Sequence, residues 1–205
     1  MSQRQDVVLR AFTELAPSYE ATLEREVREF CNLGYRELIG YLADTVPIGD
    51  HGLTLDLASG TALSSLEIAQ RRYERIIALD ITPAMQRYGA QNIRRAGLVA
   101  RISQVCASGM ELPFGTEVFS VVICGLGMHH MDASRLLAEI RRVLKGHGTV
   151  VLADMGAPEG WRSPMGRIMI RAIVGVARLV WRTPRVRAEA DALDNIRTAA
   201  EWHHF

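Results

Sequence analysis

From position 53 onward the chain alternates short apolar runs with amphipathic stretches, and this alternation constrains the fold more than any other feature. Residues 53–58 read as a strand and 62–72 as a helix. Residues 75–80 are a second strand, followed by a helix over 83–96 with Pro83 suited to its first turn. Strands over 102–106 and 120–125 come next, then a helix over 133–144 that ends at Gly146, and a fifth strand over 149–154. Apolar strands alternating with amphipathic helices predict a parallel sheet covered on both faces. Right-handed crossovers make such a sheet doubly wound. Ahead of it, residues 5–42 are helical in pattern, with Val8, Phe12 and Leu15, then Leu23, Val27 and Phe30, at helical spacing and Pro17 as a break. Pro47, Gly49 and Gly52 mark a loop. Behind it, residues 161–187 are rich in Arg, Ile and Val with Pro158, Pro164 and Pro184 as punctuation, and 189–205 are again helix-like. The expected organisation is an N-terminal helical cap (1–52), an α/β core (53–155) and a C-terminal helical insert or lid (156–205).

A chain of 205 residues suits one domain with one core, and 48 % apolar residues argue against disorder. A net charge of +1 offers no general attraction for nucleic acid. Cys31, Cys106 and Cys124 are scattered and odd in number, which fits a reducing compartment and neither a disulfide framework nor a zinc site. The polar N-terminus is no secretory signal. The apolar run 168–181 carries Arg171 and Arg178 and is too short and charged to span a bilayer. A cytoplasmic protein without a transmembrane segment is expected.

In an open α/β sheet, ligands bind at the carboxyl ends of the strands, near the point where strand order reverses. There the chain reads Leu55-Asp56-Leu57-Ala58-Ser59-Gly60-Thr61-Ala62. Small residues at 58, 60 and 62 let the backbone turn tightly and approach a ligand, and the following helix presents free N–H groups. The next strand ends in Asp80, whose carboxylate can accept both hydroxyls of a ribose. A small-residue turn with a ribose acid makes an adenosine site. A nicotinamide fingerprint is disfavoured, because of its glycines at 58, 60 and 63 only Gly60 is present.

Residues 54–62 resemble motif I of the class I S-adenosylmethionine (SAM) dependent methyltransferases, and are especially similar to the ubiquinone/menaquinone C-methyltransferase branch, which has Ala in the position of Ala58. Residues 77–85 resemble that family's acidic-loop motif. Glu111-Leu112-Pro113-Phe114 and 119–123 resemble its approach to the fourth strand, and 139–148 its helix and turn before the fifth. Phe12, Ala16 and Tyr19 match its N-terminal helix. The resemblance implies a Rossmann-like α/β fold and the following roles. Ala58, Gly60 and Thr61 surround the methionine part of SAM. Asp80 holds the ribose and Ile81 packs on the adenine. Ser108 and Gly109 sit where the adenine amine is read, and Gly125 and Leu126 lie near the sulfonium. Tyr19, Asp56, Ser59, Met85 and Met110 complete the implied cofactor set, with S-adenosylhomocysteine (SAH) as product. Three departures stand out. Ala62 replaces a glycine and should narrow the turn, and Ser108 and Ser120 stand where acidic or amide residues are usual.

SAM carries a good leaving group, so the enzyme mainly aligns acceptor, methyl carbon and sulfur. A base is needed only for a protonated acceptor. His129 and His130, at the sheet's carboxyl end, are the candidate general bases, with one of them expected to face the pocket and Asp132 as an orienting partner. His147, His203 and His204 read as surface residues, and spacing for a metal site is absent. The resemblance implies that helices over 12–30 and 161–181 cover the acceptor. Trp161, Met165, Ile168, Met169, Ile173 and Trp181 would then offer an adaptable apolar pocket. Arg162, Arg167, Arg171, Arg178, Arg182, Arg185 and Arg187 read as a solvated face that could also touch an anionic group or membrane surface. The reading is a methyltransferase acting on a small apolar acceptor. Its alternatives are a non-methylating enzyme on the same fold and a non-catalytic partner subunit.

The family's C-terminal β-hairpin has no counterpart before Phe205. The fifth strand, apolar along its length, would be left as an edge. A shortened chain, an oligomeric partner, or cover from residues 161–187 are the three expectations.

Overall fold

The computed structural model describes residues 3–47, 52–71, 75–180 and 183–202. Trp181, Arg182, His203 and His204 lie outside the described residues. Five strands form one parallel sheet: β1 (Leu53–Leu57), β2 (Arg75–Asp80), β3 (Ile102–Cys106), β4 (Phe119–Gly125) and β5 (Leu144–Ala153), in the order β3-β2-β1-β4-β5. The order reverses between β1 and β4. Both of these central strands are buried almost throughout, Thr54 and Asp56 of β1 included.

Side-chain alternation divides the core in two. Val121 and Ile123 face helices α4 (Leu63–Arg71) and α5 (Pro83–Arg95), while Leu55, Leu57, Val122 and Cys124 face α6 (Ala133–Val143) through Leu136, Ile140 and Val143. Phe119, fully buried, anchors the second layer edge-on against Phe114. Asp132 caps α6 by accepting the Arg135 N–H, so it does not orient an imidazole.

The N-terminal cap has three helices where the spacing predicted two: α1 (Gln3–Leu15), α2 (Tyr19–Cys31) and α3 (Tyr35–Thr45). A 3-10 turn holds Pro17, as expected. The second break falls at Asn32, which ends α2 in the left-handed conformation with its N–H on the Arg28 carbonyl. β5 begins five residues earlier than expected. It leaves α6 directly and absorbs Lys145–Gly148 as a register shift against β4.

After β5 come α7 (Pro164–Val180), α8 (Pro184–Ala192) and a short α9 (Ala199–Trp202). α8 packs on α1 and on the loop after β4. α7 packs on α8 and on the 3-10 turn before it, so the insert does not cover the β5 edge. Among the described residues that edge is unpaired and presents Val150 and Leu152, each more than one-third exposed. No described helix is long and apolar enough to cross a membrane.

Candidate functional site

A cavity opens where the sheet order reverses, at the carboxyl ends of β1 to β4 under the N-terminal cap. Its wall holds Tyr19, Ala58, Gly60, Asp80, Ile81, Met85, Ser108, Gly109, Met110, Leu126 and His130 from the sequence-derived set. Gln5, Val8 and Phe12 of α1, and Leu79, Thr82, Ala107, Gly127 and Met131, complete it. Gln5 and Val8 carry no motif signal. They reach the site only because α1 folds over the sheet.

Asp80 organises the floor. Its Oδ2 accepts the Gly60 N–H at 2.9 Å and its Oδ1 accepts the Thr82 N–H at 2.8 Å, which ties the turn after β1 to the end of β2. Burial pushes this carboxyl above its ordinary range, against the pull of those backbone donors. A carboxylate oxygen has a second acceptor direction, so both remain able to receive hydroxyls from the cavity. Gly60 has φ +52°, and the Tyr19 ring lies over it: a Cβ built there would stand 3.5 Å from Cε1. Tyr19 packs edge-on against Phe12 and Tyr35, and burial raises its hydroxyl to about 12, so it serves as a neutral wall. Across the cavity, Ser108 Oγ accepts from Gln5 Nε2 and from the Met110 N–H.

The turn shows why its small residues are there. Ala58 and Ala62 both have positive φ, 54° and 64°, a region that costs a non-glycine residue roughly 1–2 kcal/mol. The Ala62 methyl is fully buried in the core beneath the turn and off the cavity wall. Ser120, another departure, receives Lys145 Nζ at the opposite end of β4.

Five residues of the expected site stand off the wall. Asp56 lies beneath the turn, 1 % exposed, where its Oδ2 accepts the Ser65 hydroxyl at 2.6 Å. Among the described residues its Oδ1 has no hydrogen-bond partner. Ser59 is tied down by its N–H on the Leu79 carbonyl. Thr61 donates to Glu20 Oε1, and Asn92 Nδ2 donates to both that oxygen and the Thr61 carbonyl, a clasp between α2 and α5. Gly125 faces Leu42 and Ile39 of α3. His129 is held behind the wall.

Burial pushes the Asp56 carboxyl up to about 7, with Ser65 pulling it down and Asp80 adding to the rise. The folded state therefore holds this proton more tightly than the unfolded chain does. The stability it contributes is fully present below about pH 4 and is lost as pH rises through about 7, by up to about 4 kcal/mol. Asp56→Asn is expected to flatten that decline and to raise Tm above the parent's at about pH 8, read by thermal unfolding across pH. A variant that keeps the parent's slope would refute the assignment.

The loop after β4 carries both histidines and is held from three sides. Asp154, just past β5, accepts the His129 backbone N–H at 2.8 Å through Oδ2 and the His129 ring Nδ1–H at 2.5 Å through Oδ1. Asn195 Nδ2 donates to the His129 and Met131 carbonyls. Glu189 of α8 stands 4.0 Å from the Nε2 of each histidine. No motif in the sequence marks Asp154, Glu189 or Asn195, and the last two come from a segment that no pattern links to this loop. His130 packs edge-on against Phe12 and is the imidazole on the cavity wall. His147 is exposed, as expected. None of Trp161, Met165, Ile168, Met169 and Ile173 reaches the wall, because α7 turns away from the cavity and leaves the last four at least half exposed.

Residues 55–152 match the methyltransferase domain family. Over these residues the chain is similar to the class I SAM-dependent methyltransferases in sequence and in fold. A demethylmenaquinone methyltransferase of Thermobifida fusca is 38 % identical over 104 residues, half of this chain and 43 % of that protein. The ubiquinone/menaquinone biosynthesis C-methyltransferase UbiE of Citrifermentans bemidjiense is 26 % identical over 77 % of this chain and 67 % of its own length. The chain thus spans less than half the length of the first of these relatives and two thirds of the second. Among solved structures, the YcgJ protein of Bacillus subtilis has a TM-score of 0.64 at 21 % identity, covering 81 % of this chain and 64 % of that one, a likeness of fold. The [4+2]-cyclase SpnF has a TM-score of 0.56 at 26 % identity, covering 64 % of this chain and 50 % of its own.

Proposed function

We propose that this chain binds SAM in the cavity and transfers its methyl group to a small, largely apolar acceptor of quinone, phenol or natural-product type. The observation that carries the reading is the Asp80–Gly60 link. A carboxylate fixed by two backbone donors faces the cavity at the switch point, over a turn that brings main chain close to a ligand. The residues present fit the cofactor: Asp80 for the ribose hydroxyls, Ile81 and Met110 as apolar flanks for a flat base, and Ala58, Gly60 and Leu126 for the aminoacid end. Bound SAM supplies an electrophilic methyl on sulfur and departs as SAH.

The protein's own work is positioning and exclusion of water. Phe12, Tyr19 and Val8 close the cavity from the cap, and the two aromatic rings brace each other edge-on. Holding the reacting atoms in line supplies much of the rate in such a displacement. His130, the imidazole on the wall, is the group proposed to meet an acceptor hydroxyl. His129, clamped by Asp154, supports it from behind. The relatives named for quinone methylation support the acceptor class.

The likeness to a [4+2]-cyclase favours a second reading, in which the same pocket serves a non-methylating reaction on a natural product. One experiment separates the two. Incubation with SAM and a panel of hydroxylated naphthoquinones and phenols is expected to yield SAH and a methylated product in equal amounts, quantified by mass spectrometry. SAM bound and returned intact across the panel would favour the second reading. No SAM binding at all would overturn both and favour a partner subunit.

A further inference from the structure

The sequence shows two adjacent histidines and no metal-ligand spacing. The fold changes that by bringing α8 against the loop after β4. We propose that His129 Nε2, His130 Nε2 and the Glu189 carboxylate form a binding site for one divalent first-row transition cation of the zinc type, beside the methyl-transfer pocket.

Three observations support the site. One ligand atom from each residue lies within 4.8 Å of the others. Zinc holds nitrogen and oxygen at about 2.0–2.2 Å, so the triangle closes on an ion with small side-chain rotations. Glu189 is half-buried and set on a helix at the protein surface, which leaves it room to rotate. The second observation fixes the donor atom. Asp154 accepts at His129 Nδ1, so that nitrogen carries the hydrogen and Nε2 is the nitrogen that offers a lone pair to an ion in the neutral imidazole. A carboxylate holding the far nitrogen of a ligand imidazole is the usual support of a metal-bound histidine. The third is charge. Asp154 and Glu189 bring two carboxylates to two imidazoles, and the neighbouring cation Arg185 is already paired with Glu26.

Two imidazoles and one carboxylate match the preference of zinc and its neighbours over magnesium or calcium. Three protein ligands leave a coordination position open, as in catalytic rather than structural sites. His130 lies on the cavity wall, so an ion held by it stands next to the acceptor. An ion there would polarise an acceptor oxygen; this use rests on the function proposed above, whereas the binding itself does not.

The test uses the full chain after dialysis against a chelator. Zinc titration by calorimetry is expected to show one ion per chain. Glu189→Gln, which removes a ligand that does not line the cavity, and Asp154→Asn, which removes the support, should each weaken zinc binding by about tenfold to a hundredfold. Cobalt titration of the unaltered protein, followed by visible absorption, should show ligand-field bands of an imidazole–carboxylate site, and this readout does not depend on how a variant folds. Absence of zinc binding, unchanged affinity in Glu189→Gln, or cobalt without those bands would each overturn the site. SAH is titrated into the same samples. SAH binding without zinc sinks the metal site alone, and zinc binding without SAH sinks the methyltransferase reading alone.

Discussion

Asp80→Asn is expected to weaken SAM and SAH binding by about a hundredfold or more, equivalent to about 2.7 kcal/mol. Both carboxylate oxygens of Asp80 accept a backbone N–H, one from Gly60 and one from Thr82. An asparagine must therefore turn its NH2 against one of these donors, whichever way it is flipped. The displaced buried donor costs about 1–3 kcal/mol, and the turn that presents Gly60 to the ligand loses its tie to β2. The ribose loses a charged acceptor as well, worth about 1.5–3 kcal/mol per hydrogen bond. The effect should appear as a higher Kd in calorimetry and as a lower Tm of the unliganded chain. A variant that binds SAH within about threefold of the parent would show that Asp80 does not hold the ribose.

Gly127→Ala is expected to be the most damaging single methyl in the site. A Cβ on Gly127 would stand 2.5 Å from the Ala58 Cβ. Both atoms are fixed by backbone, so the clash cannot be relieved by a rotamer change. The turn after β1 or the loop after β4 must move. Overpacking of this kind costs about 1–3 kcal/mol, and since both residues are on the cavity wall, SAM affinity should fall by about tenfold. The same contact predicts its own rescue. Ala58→Gly removes the opposing methyl at a residue whose φ of 54° suits glycine. The double variant should recover most of the stability lost in Gly127→Ala, measured by denaturant unfolding as a double-mutant cycle. Strict additivity of the two changes would disprove the contact.

Much of the cofactor side of the cavity is legible in the chain because it is local. Ala58, Gly60, Asp80, Ile81, Ser108 and Gly109 all sit at strand ends, and a parallel sheet gathers strand ends whatever the details of its helices. The chain does not disclose which way a residue in the right turn points. Asp56 and Gly125 project from β1 and β4 to the α4 side of the sheet, and Thr61 is drawn into the clasp with Glu20 and Asn92. A period-two strand decides facing by one position, and a turn residue has no periodicity to betray its direction.

The acceptor side is the reverse case. The apolar residues of α7 look like a pocket lining in sequence, yet Met165, Ile168, Met169 and Ile173 are at least half exposed and none reaches the cavity. An amphipathic pattern states that a helix has an apolar face, not what that face meets. Nearness in the chain points to Asp132 as the orienting carboxylate of the histidine pair, whereas the carboxylate on His129 is Asp154, which comes from the neighbouring strand end. Only strand pairing between β4 and β5 could make that choice.

By itself the sequence determined the parallel α/β sheet, the place of the cavity at its switch point, and the carboxylate at the end of β2. These follow from hydrophobic periodicity and from the geometry shared by every sheet of this type. Tertiary structure alone decided that α1 and not α7 closes the cavity, that His130 faces it while His129 is clamped behind, and that Glu189 of a late helix completes a cluster with both. Those are contacts between segments far apart in the chain, selected by packing of whole elements, and no local pattern of residues encodes them.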